Sequence, residues 1–368
     1  MEISGVREYL GDDWKAVQDL LGSALHSGIE LLDTTNENLL AHSGKQLRPL
    51  LSLLVSRACL KSAGESEKLT EVSWRYAAAA ELLHNATLLH DDVADASDLR
   101  RGAPTVRAML GPQVSVLVGD FWLVRAVSLI LGDNDSDYNP RVVKLFSQTL
   151  SSLAEGEMLQ LQKAMSADTD YGDYLRIIYC KTASLFEVSA LTAAISVSAS
   201  KKLEDAARDY AVKLGYAFQI KDDILDYSGT ASVGKPLGVD VREQKITLPL
   251  LGAMANCPER AGRVREMVKK IPDHGEFADE IISFVKENGG VEYAAEKLNM
   301  FVDEAIGALD AFGECREKEL LKELALFTAK RTWKDEIFRD NRKRTAETDS
   351  RVYGGQREGA PRHTALRE

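Results

Sequence analysis

Cysteine is scarce in this chain. The four present, Cys59, Cys180, Cys257 and Cys315, are scattered, with no pair at zinc-ligand or redox spacing. That excludes a disulfide scaffold and a structural zinc site, and the expectation is reduced, buried thiols in a cytoplasmic protein. Proline is also rare, nine in 368 residues and none between Pro140 and Pro236, so long uninterrupted helices are permitted there. No stretch reaches the roughly 18 unbroken apolar residues that a membrane span requires. The opening MEISGVREYLGDDW lacks a basic region followed by an apolar run, so it does not read as a secretory leader. Positive charge is in deficit. Lys and Arg number 46 against 57 Asp and Glu, a net charge of −11, which argues against a general nucleic-acid surface.

What is present is ample apolar material, 45% of residues, arranged at helical spacing. Such spacing runs over residues 20–40, 74–95, 145–165, 174–194, 203–226 and 291–309. Breaks fall at Gly102-Ala103-Pro104, Gly111-Pro112, Gly229 to Gly238 and Gly289-Gly290. Neither a period-2 strand run nor a repeat of 20–50 residues is visible. The expectation is an all-α bundle over residues 1–331. Residues 341–368 carry seven Lys/Arg, four Asp/Glu and few apolar anchors. Residues 332–368 are therefore expected to form a disordered tail.

One acidic signature occurs twice, 131 positions apart. The first copy is Leu89-His90-Asp91-Asp92-Val93-Ala94-Asp95 and the second is Ile220-Lys221-Asp222-Asp223-Ile224-Leu225-Asp226. On a helix, aspartates at i and i+4 stack on one face, one turn apart. Either copy alone could be a solvated helix face, but both lie among Leu, Val, Ile and Ala. Clustered carboxylates in apolar surroundings are costly unless something neutralises them. Hard oxygen ligands suit Mg²⁺, which keeps waters and bridges to substrate phosphates. The signature therefore points to a Mg²⁺–diphosphate complex. Because the copies lie in different halves, a single shared site requires the halves to form one bundle.

Cations stand where an anion site would need them. Arg100 and Arg101 follow the first signature, Lys181-Thr182 lies mid-chain, and Gln219 and Lys221 flank the second signature. Lys235 and Lys245 come just after it, and Lys45 and Arg48 share a helix face upstream. Arginine forks suit diphosphate oxygens and lysines add point charge. Any one of them alone would read as an ordinary surface cation.

The segments GKQLRP, ELLHNATLLHDDVADASDLRRGAPT, VSVLVGDFWLVRA, AEGEMLQL, YCKTASLFE, AFQIKDDILDYSG and GKPLGVDVREQKITLPLL span residues 44–251. In this order they resemble the trans-type polyprenyl diphosphate synthases, and the resemblance continues more faintly to about residue 331. Gln46, Val239 and Gln244 depart from residues common in that family, Gln244 replacing a frequent glycine. The resemblance implies the isoprenoid-synthase bundle around a central cavity, and a homodimer. It implies Mg²⁺, or Mn²⁺, at about three ions per site, held by Asp91, Asp92, Asp95, Asp222, Asp223 and Asp226. The last of these is usually the least direct ligand. Arg100, Lys181, Lys235 and Lys245 would grip an allylic diphosphate, and Lys45, Arg48, His84 and Arg101 would bind isopentenyl diphosphate. Thr182 and Gln219 would face the developing carbocation. The departing diphosphate, and no side chain, would take the proton.

A class I terpene cyclase would need no second diphosphate site and normally carries an Asn/Ser/Glu second motif. A non-catalytic partner subunit tends to lose aspartates, and a head-to-head synthase would need different motif surroundings. Product length is expected to follow from Ala86 and Thr87, one turn before Asp91, where short-chain relatives tend to place an aromatic floor. Small Ala86, with Ala77, Ala78, Ala79 and Ala80 deeper on the same helix, implies a long product, heptaprenyl to decaprenyl. The family analogy points to a quinone side chain as its fate and to peripheral membrane contact as its possible route of release.

Overall fold

The computed structural model describes residues 2–65, 68–100, 103–132, 138–228 and 238–332. Residues 333–368 of the expected tail lie outside them, as do Arg101 and Lys235.

The chain is all-α. In order the helices are α1 (Ile3–Leu10), α2 (Asp12–Ala24), α3 (Glu30–Ala41), α4 (Leu47–Ser62), α5 (Glu71–Ala94), α6 (Val106–Leu110), α7 (Pro112–Leu131), α8 (Pro140–Ser166) and α9 (Tyr171–Ile178). A π-turn over Tyr179–Ala183 joins α9 to α10 (Ser184–Ser196). Then come α11 (Lys201–Ser228), α12 (Val239–Arg242), α13 (Leu248–Asn256), α14 (Pro258–Lys270), α15 (Phe277–Glu287), α16 (Gly290–Ala308) and α17 (Arg316–Lys330). Among the described residues, strand pairing is confined to Leu99–Arg100 (β1) against Ala103–Pro104 (β2), a two-residue ladder that helical periodicity gave no sign of.

Start signals match the sequence. Pro112 and Pro140 open their helices, where a missing N–H costs nothing. Asp170 and Asp173 cap α9 reciprocally. The expected helix over 20–40 is instead two helices. Gly28 turns the chain at φ +82°, and the Asp33 carboxylate accepts from the N–H groups of Ser27 and Gly28 at 2.8 and 2.9 Å. The apolar spacing continued across a turn that local hydrogen bonds had already fixed.

α5 and α11 carry the two acidic signatures and lie at the centre of the bundle. α5 packs chiefly on α7, α4 and α10, and α11 on α16 and α10. One continuous cluster of buried side chains runs from Ile3 to Ala325. Ala77 to Ala80 are all fully buried, so neighbours close on α5 from every side, as alanine allows. Of the four cysteines, Cys59, Cys180 and Cys257 are buried as expected, but Cys315, which precedes α17, is only half-buried because it is a helix-entry residue.

Helix Tyr171–Ser196 and α7 are each long and apolar enough to cross a membrane by length and composition. The former is mostly enclosed by the bundle. α7, which carries Asp120 and Arg125, leaves Leu117, Val124 and Leu131 exposed along one face.

The π-turn is held by close contact on two sides. A Cβ on Gly156 would lie 2.5 Å from the Cys180 Cβ, and one on Gly215 2.5 Å from the Ala183 Cα. Gly215→Ala is therefore expected to cost about 1–3 kcal/mol through backbone displacement. Gly262→Ala, with nothing within 4 Å of the added Cβ, is expected to be neutral or slightly stabilising. Thermal denaturation of the two variants checks this.

Candidate active site

The first signature forms the last turn of α5, with the Asp95 N–H bonded to the Asp91 carbonyl at 2.8 Å. Asp92 points into the protein and accepts from Arg100 Nε at 2.7 Å. The short β1–β2 pairing places that arginine beside the helix end. Burial pushes the Asp91 carboxyl up to about 6; Glu157 and Asp95 add to this, while Lys181 and Arg100 oppose it.

The second signature lies in the last two turns of α11 and its three aspartates have separate surroundings. Asp222 keeps a third of its side-chain surface accessible and accepts from Arg331 Nη2 at 2.9 Å. Asp223 is buried; it accepts from the Tyr174 hydroxyl at 2.6 Å and from Gln219 Nε2 at 3.0 Å. Burial and then nearby Asp240 raise its pKa well above the carboxylate range, and those two hydrogen bonds act in the opposite direction. Asp226 accepts the backbone N–H groups of Val239 and Asp240, both at 3.1 Å, and so fastens the start of α12. That arrangement engages both Asp226 carboxylate oxygens with backbone donors.

Between the two signatures stands the π-turn, a feature that often marks functional positions within helices. It presents Lys181, which pairs with Glu157 of α8, and Thr182, whose hydroxyl donates to Gln219 Oε1 at 2.8 Å. The chain Thr182–Gln219–Asp223–Tyr174 is thus a continuous hydrogen-bonded line. Lys245, bonded to Glu243 at 2.5 Å, links the two halves. Burial works against its charge, yet the fields of Asp240 and Glu243, and more weakly Asp95, outweigh burial and hold its pKa above the ordinary lysine value. Lys245 therefore senses both Asp95 of the first signature and Asp240, the neighbour of Asp223.

Of the cations assigned to isopentenyl diphosphate, Arg48 is buried with its guanidinium 5.0 Å from the Phe186 ring centre. Lys45 Nζ lies 5.1 Å from that of Phe327 on α17. His84 is half-buried on α5, and its carbonyl accepts the Thr87 hydroxyl at 2.7 Å. Ala86 is buried. Four site residues escaped prediction. Glu157 and Asp240 lay inside matched segments with acidic side chains to flag them. Tyr174 and Arg331 carried no signal, because only folding brings them to Asp223 and Asp222.

The departures Gln46 and Gln244 both sit in the left-handed region, at φ +47° and +61°. Glycine is the residue that adopts this region without cost, which accounts for its frequency at the second position. Gln244 offsets the strain with side-chain bonds to the carbonyls of Val268 and Lys269, at 3.0 and 3.3 Å.

The donor set can be weighed against a divalent ion. Among the described residues no three His, Cys, Asp or Glu side chains surround a single point. An all-protein cage is therefore absent there. What exists is a set of carboxylates raised in pKa by burial, with lysines and arginines beside them. That fits Mg²⁺ taking one or two carboxylates and completing its shell with water and substrate phosphate.

An all-α bundle with paired acidic signatures and attendant cations defines a class of proteins whose site chemistry suits a diphosphate. The polyprenyl synthetase family matches residues 29–285, and the chain belongs to that family. It is 34% identical to the octaprenyl diphosphate synthase of Haemophilus influenzae, over 90% of this chain and 98% of that one. It is 36% identical to the all-trans-nonaprenyl-diphosphate synthase of Rhodobacter capsulatus, over 86% and 94%. The polyprenyl synthase of Caulobacter crescentus, solved with calcium and isoprenyl diphosphate, superposes with a TM-score of 0.79 at 32% identity, covering 90% of this chain and 98% of that one.

The raised Asp91 pKa has a definite consequence. Between the ordinary carboxylate value of 3.8 and about 6 the folded, ligand-free protein binds more protons than the unfolded chain. Its stability therefore falls as pH rises through that window, by on the order of 3 kcal/mol from Asp91 alone. In chelator, the melting temperature is expected to drop between about pH 4.5 and pH 7, and Asp91→Asn is expected to flatten the drop. A melting temperature that rises over this range, and is indifferent to Asp91→Asn, would contradict the assignment.

Proposed function

We propose that the protein is a divalent-metal-dependent trans-prenyltransferase that condenses isopentenyl diphosphate onto an allylic diphosphate, repeatedly, to give a long-chain all-trans polyprenyl diphosphate. One observation carries this reading. Two acidic signatures from different halves of the chain share a single electrostatic network through Lys181, Lys245 and the Thr182–Gln219–Asp223 line.

Asp91, Asp92, Asp95, Asp222 and Asp223 would hold Mg²⁺, which supplies charge neutralisation for the departing diphosphate. Arg100, Lys181 and Lys245 would bind the same anion and stabilise the charge that develops as the allylic C1–O bond breaks. Thr182 and Gln219, joined to each other by a hydrogen bond, would face the cation left behind. Lys45 and Arg48 would hold isopentenyl diphosphate with its double bond in range of that cation. As the new C–C bond forms, the proton lost from the isopentenyl unit passes to the released diphosphate. Burial of the surrounding helices keeps out water that would quench the cation.

The relatives named octaprenyl and nonaprenyl synthases support a long product. Small, buried Ala86 supports it too, since neither Ala86 nor Thr87, one turn before Asp91, is aromatic. The exposed apolar face of α7 supports a homodimer, since a contiguous apolar helix face is seldom left in water. A quinone side chain as the product's destination rests on family analogy alone.

Incubation with farnesyl diphosphate, labelled isopentenyl diphosphate and Mg²⁺ is expected to give heptaprenyl to decaprenyl products, and none in excess chelator. Ala86→Phe is expected to shorten them to about farnesyl or geranylgeranyl length, sparing the first condensation. Termination of the wild-type protein at farnesyl diphosphate under excess isopentenyl diphosphate would refute the long-chain reading. For the dimer, Leu117→Glu with Val124→Glu should halve the mass measured by analytical ultracentrifugation.

A further inference from the structure

Arg331 follows the last turn of α17, 109 residues from its carboxylate partner, and is only 3% exposed. Its Nη2 donates to the Phe218 carbonyl and to Asp222 Oδ1, both at 2.9 Å. Its guanidinium carbon lies 3.7 Å from the centre of the Phe218 ring. Phe218 in turn packs against Phe186, with centroids 5.5 Å apart, and Arg48 sits 5.0 Å from the Phe186 ring. A cation–aromatic–aromatic–cation column thus connects Asp222 with the region assigned to isopentenyl diphosphate.

We infer that Arg331 is a positioning residue: it fixes the Asp222 carboxylate in the orientation in which that carboxylate takes a divalent ion. This rests on the metal-dependent reading above.

The geometry separates this role from two others. A cation serving only as a placeholder for the metal would have to leave when the ion arrives. Arg331 is held by a backbone carbonyl and an aromatic ring that belong to the same helical turn as Asp222, so departure would forfeit three interactions together. A cation that merely pinned α17 to the bundle would not need a carboxylate from the acidic signature. One guanidinium nitrogen, Nη2, meets the carbonyl and the carboxylate while the guanidinium plane stacks on the ring; an ammonium could make the two hydrogen bonds but has no plane to stack. Asp222 retains a third of its side-chain surface for a ligand. Ligating carboxylates are commonly held by such outer hydrogen bonds, and loss of one typically weakens metal binding 10–100-fold.

The test is a Mn²⁺ titration of the full chain, followed by electron paramagnetic resonance, in saturating geranyl S-thiolodiphosphate as an unreactive allylic analogue. Arg331→Met is expected to weaken Mn²⁺ binding about 10–100-fold, and Arg331→Lys to fall between it and wild type. In an Asp222→Asn background, Arg331→Met should add no further loss, because the two residues act through one contact. Unchanged or tighter Mn²⁺ binding by Arg331→Met would overturn the inference, the tighter result marking Arg331 as a competitor of the ion. Should Arg331→Met fail to fold by circular dichroism, Phe218→Leu removes the stack and keeps the charge. It should also weaken Mn²⁺ binding, and an unchanged affinity would overturn the inference equally. Absence of Mn²⁺ binding by the wild-type protein with the analogue would instead defeat the metal-dependent reading beneath it.

Discussion

Carboxylates gathered inside an apolar bundle are the constraint on which the rest of this structure depends. Asp91, Asp92 and Asp223 are each raised above the ordinary aspartate value, and in each case burial is the first cause. Left alone, such groups oppose folding as they ionise. The protein answers with fixed cations and dipoles: Arg100 on Asp92, Arg331 on Asp222, and Tyr174 and Gln219 on Asp223. These partners reduce the cost without removing it. Under the proposed function, a divalent cation and a diphosphate would take up the remaining imbalance, because charge that is poorly compensated in the free protein would be better compensated in the complex.

Bringing that charge to one place depends on unusual helix geometry. The acidic signatures sit at the ends of two long central helices, α5 and α11, and the π-turn between α9 and α10 reaches toward both. Without its extra residue, a regular helix would rotate Lys181 and Thr182 relative to the Asp91 and Gln219 they now address. Gly156 and Gly215 allow α8 and α11 to close on this turn within the space of a missing methyl group. Packing and electrostatics therefore meet in the same few residues, and the backbone irregularity belongs to the site.

The sequence was informative where local chemistry decides the outcome. Repeated aspartates among aliphatic residues identified both acidic segments, and the scarcity of proline anticipated long helices. It was uninformative where partners meet only through folding. Arg331 is 109 residues from Asp222, and nothing in its neighbourhood distinguishes it from other surface cations. Tyr174 reads as a core aromatic until it is seen to donate to Asp223. The spacing across residues 20–40 suggested one helix because apolar periodicity does not register Asp33 capturing the backbone at Ser27 and Gly28. Gln244 stands where the family often has glycine, and its positive φ shows what that glycine is for.

The central claim is that the two acidic signatures act together on one metal–diphosphate complex. Anomalous diffraction from crystals grown with Mn²⁺ and an unreactive allylic thiolodiphosphate tests it most directly. The account predicts Mn²⁺ peaks on both sides of one diphosphate, ligated by Asp91 or Asp95 on one side and by Asp222 on the other. A diphosphate and its metal ions bound by one signature alone, with the other signature bare, would contradict it.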